Sequence, residues 1–90
     1  MNNEKQVLIK NIKIFIDDIE IIAPEKESLE WYLLNNLKEY FRSINDTKSS
    51  EEVKRVTQLF SRFCVESMDW DTDLFKKCSM LTRIGFHQSH

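Results

Sequence analysis

Four side chains in this 90-residue chain are soft or imidazole metal ligands: Cys64, Cys78, His87 and His90. Four is the number that a closed zinc site needs. Their spacing, C-x13-C-x8-H-x2-H, matches none of the common zinc frameworks. Helical periodicity also places both cysteines on apolar faces, so a site would require the tail to wrap back over the last helix. The set therefore reads as two core thiols and a polar tail, with no metal and no cofactor expected. Two cysteines are too few for a disulfide scaffold, and reduced thiols fit a cytoplasmic setting.

Asp69, Asp71 and Asp73 alternate like the opening ligands of a calcium loop. No glycine follows them, and no glutamate closes the loop at the right distance. Capping of a helix accounts for them at less cost. Catalytic sets fail in a similar way. The only histidines lie in the last four residues, so no Ser–His–Asp or Cys–His arrangement can be placed. A single glycine excludes a Gly-rich phosphate loop. The chain is not expected to be an enzyme.

The elements that would position any site follow from composition and period. With one glycine and one proline the chain is poor in turn formers, which favours a few long helices with short connections. The residues predict an all-α fold, a small antiparallel up-and-down four-helix bundle with helices at 5–22, 25–44, 50–68 and 72–84. Residues 1–90 form one domain in this reading, frayed at 1–5 and 87–90.

The run from Pro24 to Asn45 is the centre of that bundle. Leu29, Leu33, Leu34, Leu37, Tyr40, Phe41 and Ile44 fall within one arc of about 140°, the apolar stripe of a core-facing helix. Pro24 suits the first turn, and Ser28 would cap a shorter version of the helix. Residues 6–22 carry seven isoleucines and a valine, so propensity alone allows a strand hairpin at 7–22, an α+β alternative. Period favours helix. Lys10, Lys13, Asp17 and Glu20 collapse into one polar stripe, and Leu8, Ile12, Phe15, Ile19 and Ile22 form the opposite face, widened by Ile9 and Ile16.

The polar run 45–50 is a linker. Ser49 or Ser50 caps the third helix, and Ser49 with Glu52 fits the capping-box spacing; its core face is read as Val53, Val56, Leu59, Phe60, Phe63 and Cys64, with Trp70 beyond them. Asp71 or Thr72 caps a fourth helix that buries Leu74, Cys78 and Leu81. Gly85 is expected as its left-handed C-cap. The expected core is Leu8, Ile12, Phe15, Ile19, Leu33, Leu37, Tyr40, Phe41, Val56, Phe60, Phe63, Leu74, Cys78 and Leu81.

Function is read from what faces outward. Net charge is −2 with interspersed signs, so the basic stripe of a nucleic-acid binder is missing. Outward Lys54, Arg55, Gln58 and Arg62 on the third helix keep a helical transcriptional regulator as the alternative, not the expectation. No secretory signal or membrane-spanning run is seen. The default is a regulator or adaptor that binds another protein, of inhibitor, anti-factor, chaperone or immunity type. Trp31, Asn35, Lys38 and Arg42 share the far side of the central helix and form the candidate partner surface, because Trp and Arg are enriched at interface hot spots. Val7, Ile14 and Ile21 recur every seven residues, apart from the main face, and form a candidate self-association seam for a homodimer.

Overall fold

Three side-chain oxygens set where three of the helices begin. Ser28 Oγ accepts from the Trp31 N–H at 3.1 Å, Ser49 Oγ from the Glu52 N–H at 3.2 Å, and Thr72 Oγ1 from the Phe75 N–H at 3.3 Å. Each satisfies a donor that the first helical turn leaves open. The computed structural model describes residues 3–88. They form four helices and no strand: α1 (Asn3–Ile22), α2 (Leu29–Asp46), α3 (Ser50–Ser67) and α4 (Asp73–Phe86). Residues 7–22 are helical throughout, so the hairpin alternative is set aside. Helical period prevails there because a strand would turn the Lys10–Lys13–Asp17–Glu20 stripe alternately inward.

The bundle runs up and down. Each helix packs on two neighbours, α1 and α3 both lying between α2 and α4, in a body of 38 × 23 × 17 Å. Connections 23–28 and 68–72 lie at one pole and connection 47–49 at the other. Lys5 Nζ donates to the Thr47 carbonyl at 2.6 Å, tying the start of α1 to the end of α2. Leu8, Ile12, Ile19, Leu33, Leu37, Ile44, Val53, Cys78 and Leu81 are fully buried. Phe41, Val56, Phe63 and Leu74 pack against this core half-buried, not within it.

Several expectations are corrected. The central helix starts at Leu29 and not at residue 25. Ala23, the residue between the end of α1 and Pro24, takes φ 52°, and Glu27 takes φ 70°. The chain therefore turns twice through left-handed backbone before Ser28 can cap. Non-glycine residues are strained there, so Glu27→Gly is expected to stabilise the fold by about 0.5–1 kcal/mol. Urea denaturation will register this as a higher midpoint.

Ile22 is 65 % and Leu59 65 % exposed, so neither joins the core. At the C-terminal end of α1 no neighbour covers Ile22, and Leu59 lies on the outer side of α3. Residues 3–5 are helical and not frayed. At the other end the Gln88 side chain is buried, with Nε2 donating to the Ile84 carbonyl at 3.1 Å. The remaining expected frayed residues, 1–2 and 89–90, lie outside the described ones.

Gly85 is not a C-cap. It lies inside α4, buried, without positive φ. Its missing side chain lets α4 approach a hydroxyl pair, Tyr40 Oη and Thr57 Oγ1, 2.6 Å apart between α2 and α3. A Cβ at position 85 would overlap Thr57 Oγ1 and come within 2.7 Å of both Thr57 Cγ2 and Tyr40 Oη. Tyr40 stacks on Phe60 with centroids 4.7 Å apart, and burial pushes its phenol well above the usual range. The hydroxyl therefore stays protonated and is available to hydrogen-bond with Thr57.

Candidate protein-interaction surfaces

The outer side of α2 begins with an aromatic pair. Trp31, half-buried, meets the exposed Tyr32 edge-on with centroids 5.0 Å apart. The Ser28 cap fixes the turn that carries both. Asn35, Lys38 and Arg42 follow on the same side, all exposed. Neither cation is left without an anion. Lys38 Nζ lies 3.1 Å from Glu20 of α1, and Arg42 Nη2 lies 3.5 Å from Glu39. Both are solvent-facing pairs, worth a few tenths of a kcal/mol, so a binding partner can replace them at little cost.

The second surface is on α1. Val7 is 49 %, Ile14 49 % and Ile21 82 % exposed, so the stripe is not buried on two sides of the bundle. Ile14 also borders a groove of about 130 Å³ between α1 and α4, where Met80 stands opposite it and Lys77 lies 5.9 Å above the Phe15 ring.

Period alone puts a third feature on the wrong side. Trp70 is 67 % exposed and does not extend the α3 core face. Its ring stacks on Phe75 at 6.1 Å, and its Nε1–H donates to the Val65 carbonyl at 3.3 Å. Period misplaced it because α3 stops at Ser67. The carboxylates on either side, Asp69 and Asp71, were the available sign that this tryptophan faces water.

Of the possible metal ligands, the two cysteines neighbour each other in the core and the described histidine lies at the end of α4. Cys64 and Cys78 are buried free thiols, His87 is exposed at the end of α4, and His90 lies outside the described residues. The neighbouring Cys78 thiol and burial both push Cys64 far up. A thiol held protonated at neutral pH is a poor nucleophile. Among the described residues no group of three His, Cys, Asp or Glu side chains is placed to hold a metal ion, and no helix is long and apolar enough to cross a membrane. Asp73 sits in the first turn of α4 and Thr72, not Asp71, caps it.

Charge is distributed along the long axis. The half of the bundle at the Trp31 and Trp70 pole, residues 13–37 and 59–79, holds ten acids and five bases, a net −5. The other half, residues 3–12, 38–58 and 80–88, holds five acids and eight bases, a net +3. No protein-family model matches the chain, and no curated protein or solved structure does either.

Proposed function

We propose that this chain is a small cytoplasmic regulator or adaptor that acts by binding another protein, without catalysis of its own. The observation that carries this reading is the Trp31–Tyr32 pair, held by the Ser28 cap at the head of an exposed Asn35, Lys38 and Arg42 row. An aromatic anchor and an arginine presented on the same side of one helix are residue types enriched at interface hot spots. Lys38 and Arg42 serve as charge partners by exchanging their exposed pairs for carboxylates of the bound protein. The Val7–Ile14–Ile21 stripe is a separate surface for self-association.

The test is a tagged pull-down from the native host with nuclease added, run in parallel with Trp31→Ala. The expected result is one protein recovered near stoichiometry by the wild type and lost with Trp31→Ala, a weakening of at least about 2 kcal/mol. Thermal stability is expected to change by less than about 1 kcal/mol. A sharp fall in stability would mean that Trp31 is structural and that this face is not the site. The nucleic-acid alternative is favoured by one observation, the exposure of Lys54, Arg55, Gln58 and Arg62 along α3. It requires duplex binding that weakens steeply with salt.

A further inference from the structure

We propose that α1 pairs with α1 of a second copy of this chain, antiparallel, about a twofold axis at Ile14. This rests on the self-association part of the proposed function and is independent of the Trp31 face.

The seam is symmetric about its middle residue. Val7 and Ile21 each stand seven residues, two helical turns, from Ile14. All three are exposed, while Leu8, Ile12, Phe15 and Ile19 fill the core from the other side of the helix. A twofold at Ile14 sets Ile14 against its own copy and Val7 against the copy's Ile21. The same patch serves on both chains, which closes the assembly at two.

Charge chooses the direction. On the helix surface Lys10 and Asp17 flank the stripe on one side, and Asn11 and Asp18 on the other. In an antiparallel pair each flank faces the same flank of the copy, running the opposite way. Lys10 then comes level with the copy's Asp17, twice by symmetry, and Asn11 with the copy's Asp18. A parallel pair instead sets Asp17 beside the copy's Asp18, twice, which repels. Lys10 and Asp18 make no ion pair among the described residues. Asp17 holds Lys13 at 2.6 Å in an exposed pair, and a carboxylate has further lone pairs for a second cation.

The whole molecule repeats the choice. Antiparallel pairing lays the −5 half of each chain along the +3 half of the other, whereas parallel pairing sets like against like. Met80, 50 % exposed across the groove from Ile14, broadens the apolar strip. One helix face is still a small interface, below about 1,200 Å² in total, so a reversible dimer in the micromolar range is expected.

Sedimentation equilibrium across the micromolar range tests the seam, with Ile14→Asp as the variant. The wild type is expected to pass from monomer to dimer. Ile14→Asp is expected to stay monomeric with unchanged circular dichroism, and with a melting temperature close to that of the wild type at dilutions where both are monomers, because its site is half exposed. A wild type that stays monomeric overturns the self-association reading and the register together. A dimer that survives Ile14→Asp overturns the seam.

Disulfide trapping tests the register. The wild type is the control, since Cys64 and Cys78 are buried. Ile14→Cys is expected to cross-link to itself, and Val7→Cys and Ile21→Cys only when the two proteins are mixed. Self-linking of Val7→Cys would leave the dimer standing and overturn the antiparallel register.

Discussion

Leu37→Ala is expected to destabilise the protein by about 2–5 kcal/mol, the cost of emptying a buried leucine site that collapses only in part. Leu37 is fully buried in the middle of α2. A domain of this size holds only about 5–15 kcal/mol in all, so one such cavity removes a large share of the total. Urea unfolding should show a lower midpoint with an unchanged slope, as for a loss of stability without a change in compactness. Leu59→Ala is the matched control: it removes the same atoms from a residue 65 % exposed and should cost little. A Leu37→Ala loss below about 1 kcal/mol would place Leu37 outside the core.

Gly85→Ala should also destabilise, by about 1–3 kcal/mol, as overpacking does. The sign is the informative part. Inside an ordinary helix the same change stabilises by about 1 kcal/mol, because alanine loses less backbone freedom. Here the new Cβ meets Thr57 Oγ1 directly, and Thr57 Cγ2 and Tyr40 Oη lie 2.7 Å away. Relief requires α4 to withdraw or the 2.6 Å hydroxyl pair to part, and a parted pair leaves buried polar atoms unmatched. The shift in melting temperature is about 4–8 °C per kcal/mol at this chain length. Thr57→Ala in the Gly85→Ala background should recover part of the loss, so the two changes will not add. A Gly85→Ala protein more stable than the wild type would remove the close approach of α4.

Legibility followed the strength of local signals. The caps of α3 and α4 are legible to within one residue, Ser49 or Ser50 and Asp71 or Thr72, because short oxygen-bearing side chains stand immediately before an apolar period; the structure selects Ser49 and Thr72. The phases of α1 and α2 were readable because their polar stripes are continuous. Residues 25–28 were not, since nothing in Glu27 announces a left-handed backbone; the turn geometry imposes it. A local rule for helix ends makes Gly85 a C-cap, but a tertiary contact with Tyr40 and Thr57 selects it, and that contact spans three helices. On the surface, the phases of Trp31 and of the Val7 seam could be read from the wheel. The pairing of Lys38 with Glu20 could not, because it depends on how α1 and α2 are staggered. Trp70 was missed because its helix ended three residues earlier than its period implied.

The placement of the tryptophans gives the molecule an optical bias. Trp31 and Trp70 both stand at the pole formed by connections 23–28 and 68–72, and the opposite half holds no indole. Trp70 is water-facing and Trp31 half-covered, so native emission combines a red-shifted and a bluer component. Any ligand that quenches or shifts that emission by direct contact must sit at the acidic end. A ligand that leaves it untouched must bind elsewhere. Ultraviolet-excited fluorescence on the unlabelled chain therefore localises an encounter to one end of a 38 Å body before any residue is changed.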